Sequence, residues 1–314
     1  MWLRGCHALW GAVRGSVIEY VYLRLPNLLT VFMGIFLEAS PFLLLGVLVS
    51  SLLDVAVAPE RISRFVPRNG ALGLISGVAL GAAAPLCECG TVPIARGSVS
   101  KGLPLPAAIG FLLAAPVINP ITVAATYTAF HDDLSVLGLR VVLGVAVALL
   151  VGGLFLMWPK DEPPLRAAAV SADHHPDHSG SRVVAVLEHA AHELSSLMVY
   201  LVGAALVASV LQVFLPRTQL VSLGQGPLLS VVIMMLIAVV LSTCSSVDAF
   251  VALAFSTTFA PGAILAFLLI SPVLNLKSGA LVVGLFRPRV VVPLLTASTL
   301  TILVAALAVN YRLL

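Results

Sequence analysis

Apolar residues run along this chain in blocks long enough to cross a bilayer, and the polar residues that interrupt those blocks recur in pairs. Leu28 to Leu53 is the first block; at ~1.5 Å per residue it crosses a hydrocarbon core about 30 Å thick. It carries Glu38, then Ser40-Pro41. The next block, Ala71 to Ala84, is rich in Gly and Ala, which lets neighbouring helices approach closely, and it ends in Pro85-Leu86-Cys87-Glu88-Cys89-Gly90-Thr91-Val92-Pro93. A new helical piece is expected there, capped by Thr91 with Pro93 in its first turn and continuing to Ser100. From Leu105 the chain is apolar until Pro116-Val117-Ile118-Asn119-Pro120, where Asn119 reads as an N-cap with Pro at the first helical position. Val136 to Trp158 is an uninterrupted span.

The same pattern then returns. Ser196 to Phe214 and Leu228 to Leu241 are apolar, and Ser242-Thr243-Cys244-Ser245-Ser246-Val247-Asp248 forms a break. Ser246 is its expected cap and Asp248 falls in the first turn that follows. Ser271-Pro272-Val273-Leu274-Asn275 breaks the next helix, Lys277, Arg287 and Arg289 are placed around the last loop, and Val290 to Val309 closes the chain. Phe111 to Asn119 matches Phe267 to Asn275 at six of nine positions, an offset of 267 − 111 = 156. At that offset Cys87-Glu88-Cys89 lies opposite Thr243-Cys244-Ser245. Two repeated halves follow, each with a pair of breaks. Four segments per half would give the halves one orientation; a re-entrant hairpin in each half would make the count odd and the repeat inverted.

The expected fold is therefore an all-α polytopic membrane protein of about eight transmembrane segments, whose broken or re-entrant helices meet at a central site. Residues 1–27, with Arg4, Arg14 and Arg24 among Trp2, Trp10 and Tyr20, read as an interfacial helix rather than a cleavable signal. Residues 28–158 form the first repeat, 159–182 a polar linker and 183–314 the second repeat. The linker holds His174, His175 and His178, a weak candidate for a transition metal.

Composition agrees and narrows the function. Charged residues make up 10% of the chain and hydrophobic ones 60%, against roughly a quarter charged in a soluble domain. The formal charge of +3 is spread near segment ends, with no basic stripe for nucleic acid. Four scattered cysteines do not make a disulfide scaffold. No Walker A sequence and no cofactor motif is present, and the chain does not read as an enzyme.

Non-helical backbone at membrane depth is tolerated only inside protein or beside a cavity, so the breaks mark the site. Its candidate residues are Cys87, Glu88, Cys89, Asn119, Cys244, Asp248 and Asn275. The three cysteines supply soft ligands, and Glu38 and Asp248 are the candidates for proton coupling. A membrane thiol oxidoreductase using Cys87 and Cys89 is the alternative from another class, although the spacing is not Cys-x-x-Cys.

At Glu38-Ala39-Ser40-Pro41-Phe42-Leu43-Leu44-Leu45-Gly46, Pro85 to Pro93, Leu113 to Pro120 and Ser246 to Phe250, the chain resembles the predicted-permease family that includes the ArsP organoarsenical efflux permeases. The resemblance implies an inner-membrane permease of about eight spans, with trivalent organoarsenicals extruded by some members. Glu88 stands where the family pattern is expected to carry a small residue such as Ser. A carboxylate beside two thiolates opens the alternative of a metal cation as substrate. The partners implied are the lipid bilayer and a small-molecule or metal(loid) substrate, with a homo-oligomer left open.

Overall fold

The computed structural model describes residues 2–56, 67, 69–159, 163–166, 182–214 and 226–313, and the architecture is all-α. The linker histidines His174, His175 and His178 lie outside the described residues. Helix α1 spans Trp2–Ala56, α2 Gly70–Ala83, α3 Glu88–Ser100, α4 Leu105–Ile118, α5 Pro120–Ala129 and α6 Leu134–Leu154. After the linker come α7 at Arg182–Phe214, α8 at Pro227–Leu241, α9 at Asp248–Phe255, α10 at Pro261–Ile270, α11 at Leu276–Leu285 and α12 at Pro288–Leu313. The backbone of the N-terminal stretch runs into the first span as one helix through Pro26 and Pro41.

Among the described residues five helices are long and apolar enough to cross a membrane: Arg24–Leu52, Leu105–Ala129, Leu134–Met157, Val186–Phe214 and Pro288–Tyr311. The shorter helices α10 and α11 follow one another across a break at Ser271–Asn275, as α4 and α5 do at Asn119. The offset seen in the sequence recurs at three helix bounds. Leu105 and Pro261 begin matching helices 156 residues apart, and Pro120–Ala129 matches Leu276–Leu285 at both ends with the same offset.

The remaining pairs, α2 with α3 and α8 with α9, each return to the end of the bundle from which they start. Asn69 and Gly70 at the start of α2 share one surface cavity, of about 620 Å³, with Val99 near the end of α3, Leu105 at the start of α4 and Trp158 beyond α6. A helix pair that continued straight through would hold Gly70 and Val99 some 40 Å apart at ~1.5 Å per residue. Instead the chain enters at one end of the bundle, turns at 84–87 and returns to the same end. The second pair does this from the opposite end. Asn310, near the end of α12, accepts from Gly262 N–H at 2.8 Å and donates to Pro227 C=O at 3.2 Å, which gathers the starts of α8 and α10. Leu253 and Ser256 at the end of α9 line a cavity of about 260 Å³ with Pro261, Phe130 and Val136. Among the described residues, each half thus holds three continuous or broken helices that run from end to end of the bundle and one hairpin that returns to its own end, and the two hairpins start from opposite ends.

Close backbone approach fixes the hairpins in place. A Cβ on Gly46 of α1 would stand 2.5 Å from Gly90 Cα of α3, and one on Gly77 of α2 would collide with the Ala107 carbonyl of α4. Ser50 Oγ adds a hydrogen bond from α1 to Pro93 C=O of α3 at 3.1 Å. Packing of small residues replaces the hydrophobic drive that lipid does not supply.

Candidate functional site

Each hairpin tip is a short non-helical stretch between two helix ends. In the first tip Cys87 is extended, at φ −87 and ψ 171, and is the N-cap of α3; its carbonyl accepts from Gly90 N–H at 3.2 Å and Thr91 N–H at 3.1 Å. The expected cap, Thr91, lies inside the helix, where its hydroxyl donates back to Glu88 C=O at 3.0 Å. The cap lies four residues earlier than expected, at Cys87, which puts Pro93 inside the helix, where its missing N–H cannot serve the Cys89 carbonyl.

The second tip begins at Ser242, the one described non-glycine residue with positive φ, at 47°. Such backbone costs ~1–3 kcal/mol and persists only when its surroundings hold it. Here the Ser242 hydroxyl donates to Val239 C=O at 2.8 Å and accepts Leu276 N–H at 3.2 Å. Val247 is the N-cap of α9, not Ser246, and Cys244 C=O accepts from Val247 and Asp248 N–H at 2.9 and 3.0 Å. Ser246 Oγ instead approaches Cys244 Sγ at 3.6 Å.

Asn119 and Asn275 join the two sides of the crossing-helix breaks. Asn119 Oδ1 accepts Thr122 N–H at 2.8 Å, while its amide donates to Ala115 C=O and to Leu86 C=O, both at 2.7 Å. Asn275 Oδ1 accepts Ser278 N–H at 2.7 Å and its amide donates to Ser271 C=O at 2.8 Å. One side chain therefore satisfies both the last carbonyls of one half-helix and the first N–H groups of the next. Asn119 also ties the hairpin tip to the break beside it.

Between the tips the soft and charged groups meet. Cys87 Sγ, a Glu88 carboxylate oxygen and Cys244 Sγ lie within 4.8 Å of one another, all three residues buried. Cys89, also buried, interacts with the Cys87 thiol. Glu88 is 2% exposed and neither carboxylate oxygen has a hydrogen-bond partner among the described residues. Lys277 Nζ stands 3.8 Å from Glu88 and 3.6 Å from Glu38, and the Glu38 side chain is 31% exposed. A cavity of about 20 Å³, room for about one water, opens between Glu88, Thr91, Leu113, Pro272 and Ser278.

Two more buried ion pairs flank this centre. Arg140 of α6 holds Asp248 of α9 through two hydrogen bonds, at 2.8 and 3.0 Å, and donates to Thr126 Oγ1 at 3.0 Å. Arg96 of α3 holds Glu193 of α7 at 2.8 Å. The pattern of apolar blocks passed over Arg96, Arg140 and Glu193, and it placed Lys277 at a loop when it is 1% exposed in the first turn of α11. The signal was present: an arginine inside a block such as Leu134–Leu154 is costly against lipid and marks an inward face. Each of the three ion pairs joins the first half to the second.

The fold and this centre define a multi-pass membrane protein with re-entrant hairpins meeting at a buried polar site. The chain belongs to the ArsP_1 family, described as predicted permease, whose model matches residues 24–311. It is 36% identical over 284 residues to the UPF0718 protein YcgR of Bacillus subtilis, covering 90% of this chain and 96% of that one. It is 34% identical over 286 residues to a protein of Streptococcus mutans named putative two-component membrane permease complex subunit, covering 90% and 94%. A shorter likeness, 25% over 132 residues, is to the UPF0718 protein YraQ of Escherichia coli, covering 42% and 38%. No solved structure matches.

Proposed function

We propose that this permease extrudes a thiol-seeking solute, of the class of trivalent organoarsenicals or soft metal species, through the centre between the two hairpin tips. The observation that carries this reading is the pair Cys87 and Cys244, brought from opposite ends of the bundle to within ligand distance of each other and of Glu88. Soft thiolates favour soft thiophilic species. Cys89, two residues on from Cys87, is a further buried thiol.

Inverted halves that rock against each other expose a central site to one side at a time. Arg96–Glu193 lies between the site and the end of the bundle marked by Val99, and Arg140–Asp248 lies between it and the opposite end marked by Phe130 and Val136. Opening either side separates the pair on that side while the other stays closed. Glu38, the most exposed acid of the centre and in contact with Lys277, carries the coupling proton; Asp248, held by Arg140, closes one gate. Asn119 and Asn275 shape the site through the breaks that they cap. The relative from Streptococcus is named as one subunit of a complex, and a second subunit belongs to this reading, with a homo-oligomer as the other arrangement.

The test is accumulation of methylarsenite by everted vesicles. Cys87→Ser and Cys244→Ser should each reduce it to the level of vesicles without the protein, at unchanged membrane content. A protonophore should abolish it. Normal accumulation by both variants refutes the thiol site.

A further inference from the structure

We infer that the centre is a cation site of two thiols and one carboxylate, built for a soft divalent cation, with Lys277 as its displaceable counter-ion. This rests on the reading that Cys87 and Cys244 line the transport site, and it goes further by naming the charge of what they take.

Glu88 is the observation that demands a ligand. A carboxylate that is 2% exposed normally has well-formed hydrogen bonds on both oxygens; Glu88 has none of good geometry among the described residues, and only the backbone N–H groups of Glu88 and Ser245 face it. Its nearest ion-pair partner, Lys277 Nζ at 3.8 Å, is beyond hydrogen-bond reach. A neutral arsenical bonded to the thiols would leave this carboxylate as it is. A cation would satisfy it.

The geometry suits one ion. Bonds of ~2.3 Å to sulfur and ~2.1 Å to oxygen place the ligand atoms of a tetrahedral ion ~3.5 Å apart. The three ligand atoms lie within 4.8 Å, so closing on an ion requires a shift of about 1 Å, small for tips borne on separate hairpins. The fourth position falls to a water in the 20 Å³ cavity beside Glu88. Two sulfur ligands bias the set away from hard oxygen-seeking ions.

Lys277 completes the device. Its ammonium lies between two carboxylates, slightly nearer Glu38 than Glu88, at 3.6 against 3.8 Å. A divalent cation arriving at Glu88 repels the ammonium, and a flexible four-carbon stem lets it settle on Glu38. The empty centre therefore keeps a cation of its own, and the loaded centre exchanges it for a better-liganded one. Two S–H bonds break and two S–metal bonds form, and the two protons leave to solvent.

Cadmium titration of the purified, detergent-solubilised protein tests this, read by the ultraviolet thiolate-to-cadmium absorption and by calorimetry, with phenylarsine oxide titrated in parallel as the neutral thiophile. Cadmium should bind with one ion per chain. Glu88→Gln should weaken cadmium ~10–100-fold, the range for loss of a metal-tuning group, and leave capture of phenylarsine oxide unchanged. Lys277→Met should tighten cadmium binding, and Glu88→Asp should keep most of it, which guards against misfolding of the Gln variant. Wild-type cadmium affinity in Glu88→Gln, or cadmium failing to bind where phenylarsine oxide does, overturns the cation site while leaving the thiol site intact. If Cys87→Ser and Cys244→Ser capture both probes normally, the thiol site itself falls.

Discussion

Arg140 and Asp248 are 108 residues apart in sequence and lie in different halves of the chain, yet they form a bidentate ion pair at 2.8 and 3.0 Å with side chains 1% and 0% exposed. Removing one member leaves the other charged and unpaired, which costs ~3–5 kcal/mol, whereas removing both at similar volume is close to neutral. Asp248→Asn and Arg140→Gln should therefore each lower the midpoint of thermal unfolding in detergent, and the double variant Asp248→Asn with Arg140→Gln should recover most of the loss. The double variant should still transport poorly, because its gate no longer closes with charge-assisted bonds. Equal destabilisation by the double and single variants would show that the pair is not what holds this interface.

The hairpin assignment makes a topological prediction. Gly102 follows α3 at the end of the bundle where α2 starts, and Ser256 follows α9 at the opposite end. Cysteines introduced at Gly102 and Ser256, in a background without native thiols, should react with an impermeant maleimide from opposite sides of sealed vesicles. A cysteine at Trp158 should report the same side as Gly102, and one at Asp132 the same side as Ser256. Labelling of Gly102 and Ser256 from one side would mean that at least one hairpin crosses the membrane.

Gly46 and Gly90 are in direct backbone contact, and the added methyl of Gly46→Ala would fall 2.5 Å from Gly90 Cα. Overpacking costs typically ~1–3 kcal/mol, and the shift here is transmitted to the turn of chain that carries Cys87, Glu88 and Cys89. Gly46→Ala should lower both stability and transport, whereas Gly34→Ala on the same helix, with open space around its Cβ position, should change neither. Measured unfolding midpoints and vesicle accumulation for the two variants separate a tight contact from a general dislike of substitution in α1.

How much of this was legible in the sequence depended on whether local signals sufficed. Asn119-Pro120 and Asn275 announce their breaks because an N-cap and a first-turn proline are local chemistry, and both are found capping as the pattern requires. The offset of 156 residues located the partner of every break. Hydropathy did not distinguish a crossing from a hairpin, since Gly70–Ala83 and Pro227–Leu241 are as apolar as the true spans. That distinction resides in where the far ends pack. The charge partners of Arg96 and Arg140 lie 97 and 108 residues away, beyond any helical period. Lys277 follows Asn275 in a capping motif that reads as a loop edge, and only the convergence of the two tips buries it between Glu38 and Glu88.

The thiols themselves offer the sharpest test of motion. Cys87 and Cys244 are free, buried and within 4.8 Å at sulfur, but they sit on hairpins anchored at opposite ends of the bundle. A disulfide needs its sulfurs at ~2.05 Å and fixes the distance between the two backbones, so it would staple the halves together at the site. Diamide, a two-electron thiol oxidant, should form this bond, lowering the mass of the intact chain by about 2 Da for the two hydrogens lost. Transport should stop on oxidation and return with dithiothreitol, if alternating access requires the tips to part. Cys89→Ser should behave as the wild type in this assay, which removes the adjacent Cys87–Cys89 pair as the source, while the intact mass of Cys244→Ser should not change with diamide. Full transport by the cross-linked protein would show that the tips move as one body and that access alternates elsewhere, at the Arg96–Glu193 and Arg140–Asp248 pairs alone.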